Sequence, residues 1–164
     1  MKIKKNSFCS LIMTFLCRAL AELEKKDSDI RAEFAELPEG FKINIGILPF
    51  GAYTGLIKTA NGLKIKKNGF AAADLVVNFK NVKSAKQVML AKINLAQSFS
   101  RHALLVGGDI AIAMGLVRAI NKVECYLFPR FMTKKILPKI KKQTCTLGIY
   151  CKILFCFRKY KYDM

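Results

Sequence analysis

Residues 104–129, LLVGGDIAIAMGLVRAINKVECYLFP, contain the pattern that decides the fold of this chain. Three apolar residues suited to a short strand precede Gly107 and Gly108, where the backbone turns tightly because no Cβ is present. Asp109 then stands at the position of a helix N-cap, where its carboxylate accepts hydrogen bonds from the first helical turn. The sequence therefore predicts a strand, a tight turn and a helix of about five turns that ends before Pro129.

The predicted helix has one apolar and one polar face. Arg118, Asn121 and Lys122 cluster on the polar side, and the apolar residues recur at steps of three and four positions. The apolar stripe consists of Ile110, Ala113, Met114, Val117 and Ile120. We interpret this helix as the central buried helix of the domain, with the preceding chain covering its apolar face.

The composition fits one domain with a sizeable core. The chain has 164 residues, of which 52% are hydrophobic, and a chain of this length buries most of the surface that it exposes when unfolded. No stretch approaches the roughly 18 consecutive apolar residues of a membrane-spanning helix. Such an apolar excess predicts a large core, an apolar cavity or a surface that faces a membrane.

Residues 1–40 are predicted to form N-terminal helices that pack on the domain. The first is amphipathic, runs over residues 7–23 and is capped by Asn6 or Ser7, and the second runs over residues 27–37. The alternative for the start of the chain is a secretory signal peptide. In that interpretation lysines precede an apolar run and a small-residue cleavage site.

The helix is favoured over a signal peptide at residues 1–21 for two reasons. Arg18 interrupts the transition from apolar to small residues that a cleavage site requires. The helical period also continues past the supposed cut to Leu23. We therefore expect a cytoplasmic protein, with secretion as the alternative.

Alternating apolar residues then predict four strands. Asn61-Gly62 and Asn68-Gly69 are typical of tight hairpin turns, because residues of such turns adopt positive φ. Strands joined this closely predict an antiparallel meander. The predicted strands cover residues 41–47, 53–59, 63–66 and 73–79.

Two further helices, over residues 81–92 and 94–102, precede the fifth strand. One sheet with its helices segregated to one face is an α+β architecture. We predict a five-stranded, largely antiparallel sheet with helices covering one face. The domain itself is assigned to residues 41–138.

The positive charge is concentrated towards the C-terminus. The net charge at pH 7 is +18, and residues 130–164 carry 10 basic residues against 1 acidic residue. Residues 139–164 form a basic, cysteine-containing tail without a clear period, either unstructured or lying on a membrane surface. The charge favours anionic membranes, nucleic acid or acidic partners.

No set of residues predicts catalysis or metal binding. The six cysteines lack the C-x-x-C spacing of a zinc site, and His102 is the only histidine. Gly107-Gly108 lacks the residues of a phosphate-binding loop, and Asp109 is explained as a helix cap. We predict a protein that is not an enzyme and needs no metal or cofactor. Cys9 and Cys125 lie in apolar helical patterns and are expected to be buried.

Residues 41–138 resemble the sterol carrier protein 2-like family of lipid-binding domains. The strand ADLVVNF at residues 73–79, a helix beginning at Asn81, a helix ending near Ser100 and the segment LLVGGDIAIAMGL at residues 104–116 occur in the family's order. In that family a strand of this kind leads through Gly-Asp into a long helix. The long apolar N-terminal segment and the basic tail depart from the family pattern.

The resemblance implies a mixed sheet covered by helices, with an apolar tunnel between them that accepts an acyl chain or a sterol. A lipid site needs apolar surface and few polar groups. The alternative for each candidate is that it belongs to an ordinary packed core. The candidates for lining such a cavity are Leu95, Phe99, Met114, Val117, Ile120 and Phe128.

The predicted partner is therefore a lipid or another apolar small molecule. The alternative is a basic protein whose lysine-rich C-terminal part binds nucleic acid or an anionic membrane. Nucleic acid is the weaker candidate, because the lysines do not form a regular strip interleaved with exposed aromatic residues. An anionic membrane surface is compatible with lipid binding.

Overall fold

The computed structural model describes residues 7–49, 53–89, 93 and 95–127. The order of helices and strands in these residues confirms the predicted α+β fold class. The elements are α1 (Ser7–Glu24), α2 (Ser28–Glu33), β1 (Lys42–Ile47), β2 (Tyr53–Thr59), β3 (Gly62–Lys67), β4 (Leu75–Phe79), α3 (Val82–Met89), α4 (Leu95–Ser100), β5 (Leu104–Gly107) and α5 (Ile110–Leu127). The predictions for Phe128 and the basic tail lie outside the described residues.

A five-stranded sheet with the order β3-β2-β1-β4-β5 is the framework of the domain. The pairs β1–β2, β2–β3 and β4–β5 are antiparallel, and β1–β4 is parallel. The sheet is therefore mixed and largely antiparallel, as predicted. The prediction of a four-stranded meander was wrong, because β4 does not pair with β3 but crosses to the far side of β1.

The first Asn-Gly signal does mark a hairpin, between β2 and β3. Thr59 pairs with Gly62, so the two unpaired loop residues are Ala60 and Asn61. The turn therefore lies one residue earlier than the sequence pattern predicted. Gly62 still needs its conformational freedom, because its φ is +102°.

The second Asn-Gly signal turns the chain out of β3 but does not form a hairpin with β4. Asn68 and Gly69 adopt positive φ angles of 66° and 74°. Asn44 on β1 then holds the next residue, Phe70. Its Nδ2 donates to the Phe70 carbonyl at 2.8 Å, and its Oδ1 accepts from the Phe70 N–H at 2.9 Å. These bonds direct the chain back across the sheet.

Burial explains why β4 is central and β3 lies at an edge. The side chains of Leu75, Val77 and Phe79 on β4 are all buried. In β3, by contrast, Lys64 and Lys66 are exposed. Charged lysines suit a sheet edge, where they also discourage pairing with other chains. The Asn-Gly signal at the end of β3 depends on neighbouring residues only, so it does not predict that β4 is buried and β3 is exposed.

Helices α1 and α5 pack against each other and against one face of the sheet. Ile43, Ile45 and Ile47 on β1 are buried and belong to the same core cluster as the inner faces of both helices. Among the described residues, no helix combines the length and the apolar character needed to cross a bilayer.

The turn into α5 is built as predicted. Asp109 caps the helix by accepting a hydrogen bond from the Ala111 N–H at 2.6 Å. Gly108 has a φ of +112°, and a Cβ at this position would lie 2.5 Å from the Asp74 carbonyl oxygen. A side chain there would therefore both strain the backbone and collide with the sheet.

The buried face of α5 differs from the predicted stripe at its start. Ile110, in the first turn, is 61% exposed, and Met114 one turn later is only half-buried. Further along, the buried surface is wider than the prediction. The buried residues of the helix are Ala113, Gly115, Leu116, Val117, Ala119, Ile120, Val123, Glu124 and Leu127.

Polar contacts fasten α2 to α5. Asp27 caps α2, and its carboxylate also accepts from Lys122 Nζ and from the Tyr126 hydroxyl, each at 2.7 Å. Burial disfavours the charged form of Asp27, but these hydrogen bonds outweigh it and hold its pKa below the usual value. Arg118 forms a bidentate pair with Glu33, with both distances 2.7 Å.

Candidate functional site

A small apolar cavity lies between the helix layer and the sheet. Its volume is about 30 Å³, which is room for one or two water molecules. Helices α1, α3 and α5 and strands β1 and β4 supply its walls. The lining residues are Met13, Leu16, Cys17, Ile45, Val77, Phe79, Val88, Leu116, Val117, Ile120 and Glu124.

The alternation of the strands and the period of the helices bring these residues together. Ile45 and Val77 are register partners on β1 and β4, so both point to the helix-covered face. Val117, Ile120 and Glu124 follow one another at three- and four-residue steps on α5 and lie on one side of that helix. The cavity therefore occupies the centre of the contact between sheet and helices.

Only two of the lining residues that the structure describes are titratable. Cys17 on α1 is 1% exposed, and burial raises the pKa of its thiol to about 12. It is therefore an unreactive, neutral group at physiological pH. The prediction for the other cysteines is confirmed at Cys9, which is buried, whereas Cys125 is only half-buried.

Glu124 is the second titratable residue, and it differs from every other lining group. It is 1% exposed, and its Oε2 has no hydrogen-bond partner among the described residues. Burial raises the pKa of its carboxyl to about 8. The carboxyl is therefore largely protonated at neutral pH.

The structure places two of the predicted cavity residues in this lining. Val117 and Ile120 both face the cavity. Phe99 and Met114 are half-buried and are not among the lining side chains. The side chain of Leu95 lies outside the described residues, as does all of Phe128. That any of these residues contacts a lipid stays a prediction.

Sequence reasoning missed Glu124 and the contributions of α1 and the sheet. The signal for Glu124 was present, because it follows Ile120 by four positions and Val117 by seven and so continues the apolar stripe. An acidic residue at such a position is unusual, since an uncompensated charge is rarely buried. Nothing in the sequence shows which side chains of α1 meet the sheet across the cavity.

Solved structures of sterol carrier protein 2 domains are similar in fold to this chain. The solution structure of sterol carrier protein domain 2 of Helicoverpa armigera is 14% identical, with 86% of this chain and 99% of that chain covered and a TM-score of 0.48. A crystal structure of sterol carrier protein 2 is 16% identical, with coverage of 70% and 93% and a TM-score of 0.48.

The ubiquinone synthesis protein UbiJ-SCP2 is also similar, with 16% identity, coverage of 72% of this chain and 93% of that chain, and a TM-score of 0.45. No protein-family profile matches the sequence. No curated protein sequence matches it either. The similarity concerns the arrangement of helices and strands.

Proposed function

We propose that this protein is a non-enzymatic lipid-binding protein whose ligand chain enters the space between the helix layer and the sheet. The observation that carries the proposal is the cavity, which is enclosed by three helices and two strands and lined almost entirely by apolar side chains. Apolar clefts with few polar groups are the usual sites for small apolar ligands.

The lining chemistry supports this proposal. Apart from Cys17 and Glu124, every described lining residue is Met, Leu, Ile, Val or Phe. Met13 and Leu16 on α1 are flexible or unbranched at Cβ, and Met in particular adapts its shape to different apolar ligands. An acyl chain in this space would gain roughly 0.8 kcal/mol for each buried CH₂ group.

Binding requires the cavity to widen, because about 30 Å³ is far below the volume of an acyl chain. The movable wall in this proposal is the helix layer, since the sheet is held by four ladders of backbone hydrogen bonds. Helix α1 is tied to β2 at its end by the Glu24–Lys58 ion pair, and along its length it packs through apolar side chains such as Leu20 and Leu23, which are buried. Such contacts can shift without leaving a backbone group unpaired.

The test is uptake of two pyrene-labelled probes, a fatty acid and a long-chain alcohol, by the full chain. We expect saturable binding of at least one probe. Val117→Phe places a larger side chain in the cavity and should reduce the affinity about 10-fold or more, through steric exclusion and the cost of overpacking. Circular dichroism checks that this variant is folded.

The matched control is Ala111→Phe, which introduces the same side chain at an exposed position of α5. It should bind both probes like the unaltered protein. The proposal fails if neither probe binds, or if Val117→Phe is folded and binds as well as Ala111→Phe.

A further inference from the structure

We propose that Glu124 is the polar anchor of the cavity and selects a lipid whose polar end is a neutral hydroxyl group, such as a long-chain alcohol. This inference rests on the proposed function and adds the head-group chemistry of the ligand. It is carried by the position of one buried carboxyl group at the end of an apolar stripe.

The cavity-facing side of α5 is apolar along most of its length and ends in one polar group, as a single-chain lipid does. Val117 and Ile120 are apolar, and Glu124 lies two turns beyond Val117, which is about 10 Å along the helix axis. All three side chains line the same cavity. A chain lying along α5 would therefore contact apolar side chains and meet one polar group at its end.

The carboxyl group has an unfilled hydrogen-bonding position. Glu124 Oε2 is buried without a partner among the described residues. Lys122, two positions earlier on α5, is engaged by Asp27 and Asp29 on the other side of the helix. Cys17 on α1, the only other titratable side chain among the described lining residues, is neutral and a weak donor. A buried polar group without a hydrogen-bond partner lowers the stability of the fold, and a ligand that supplies the partner removes that cost.

A hydroxyl group is the head group that satisfies Glu124 best. A protonated carboxyl has one donor and further acceptor capacity, and a hydroxyl also donates and accepts, so the two form a reciprocal pair. A fatty-acid carboxylate would have to bring its own negative charge into the apolar cavity, and burying a charge costs far more than burying a neutral hydroxyl group. A long-chain amine would require a buried ion pair, whose desolvation cost offsets much of its attraction.

The experiment measures displacement of the pyrene-labelled alcohol by three unlabelled competitors of equal chain length: an alcohol, a carboxylic acid and an amine. For the full chain at neutral pH, the alcohol should bind about 10-fold more tightly than the acid, the magnitude of one well-formed hydrogen bond. Glu124→Leu removes the anchor and should bring the two affinities to within about threefold of each other.

Two further variants separate head-group selection from damage to the fold. Glu124→Gln keeps a group that donates and accepts, so it should retain the preference for the alcohol. Glu22→Gln makes the same chemical change on α1, where Glu22 pairs with Lys25 at 3.7 Å outside the cavity, and it should behave like the unaltered protein.

The outcomes distinguish this inference from the proposed function. If the probes bind but the alcohol and the acid compete equally, or if the amine binds most tightly, the inference is overturned and lipid binding stands. The same holds if Glu124→Leu keeps the full preference for the alcohol. If no probe binds at all, both the inference and the proposed function fail.

Discussion

Two glutamates are buried on the two long helices, and their surroundings are opposite. Glu24 at the end of α1 is 3% exposed, and Glu124 in the last turn of α5 is 1% exposed. The carboxylate of Glu24 pairs with Lys58 Nζ on β2 at 3.2 Å, and it lies against Gly62, where a Cβ would collide with it. Glu124 Oε2 has no such partner among the described residues.

Glu24 therefore stabilises the fold, whereas the carboxyl group of Glu124 is available to a ligand. The Glu24–Lys58 pair ties the end of α1 to the sheet, so its charge is compensated within the folded chain. Glu124 contributes nothing comparable and makes folding less favourable when it is ionised. A ligand that forms a hydrogen bond with the Glu124 carboxyl would stabilise the folded state, because it binds the folded chain and not the unfolded one.

The largest expected loss of stability is at Glu24. Glu24→Gln removes the negative charge and leaves Lys58, whose side chain is only 15% exposed, without a compensating partner. We expect this variant to lose about 2–3 kcal/mol of unfolding free energy, as is usual for charged hydrogen bonds in buried places. Urea denaturation at neutral pH measures it.

The double variant Glu24→Gln/Lys58→Met is the control for that effect, because it also removes the Lys58 ammonium group that has lost its partner. It should recover part of the lost stability. A Glu24→Gln variant as stable as the unaltered protein would show that the pair is not part of the framework.

The same substitution at Glu124 should act in the opposite direction. Burial raises the pKa of the folded carboxyl from 4.5 to about 8, so between these values the folded chain holds a proton that the unfolded chain has lost. Stability then falls as the pH rises through this window and levels off above about 8. Glu124→Gln does not titrate and should be more stable than the unaltered protein by about 2 kcal/mol at pH 6, and by more as the pH rises towards 8.

Denaturation curves from pH 4.5 to pH 8 measure this difference, which should vanish at the acidic end. Bound lipid is removed first, because a ligand bound in the cavity would itself stabilise the folded chain. A stability difference that is constant over this range would contradict a buried, unpaired Glu124.

The smallest of these effects on stability is expected at Asp27, whose carboxylate accepts several hydrogen bonds. Asp27→Asn keeps a side chain that caps helices well but removes the charge that Lys122 and Tyr126 contact. We expect a loss of about 1 kcal/mol at neutral pH. Because the folded pKa of Asp27 lies below 3.8, this contribution is present above that value and disappears as the pH falls further.

Thermal or urea denaturation of both proteins between neutral and strongly acidic pH tests this prediction. The two stabilities should converge only below the usual pKa of aspartate. Convergence already near pH 6 would mean that Asp27 does not hold the charge that the contacts require.

The sequence predicted local structure well, and its errors concern distant contacts. Asp109 was identified as a cap because capping depends on neighbouring residues alone. The Asn68-Gly69 turn was also real, but a turn signal does not say which strand the chain pairs with next. That choice follows from the burial of β4 and from the bonds between Asn44 and Phe70.

The candidate site was only partly predictable for the same reason. Val117 and Ile120 follow from the helical period of α5. The opposite walls on α1, β1 and β4 come from packing between segments far apart in the chain. The spacing of Glu124 from Ile120 places it on the same buried face, but an acidic residue is rarely buried, so its type and its spacing give opposite indications.

The most direct test of lipid binding in this cavity is a native mass spectrum of the full chain, recorded before and after gentle denaturation. We predict a bound small molecule with the mass of a single-chain lipid, released when the protein unfolds. A spectrum that shows only the bare chain, together with no uptake of either pyrene-labelled probe, would contradict the proposal and leave the cavity as part of an ordinary core.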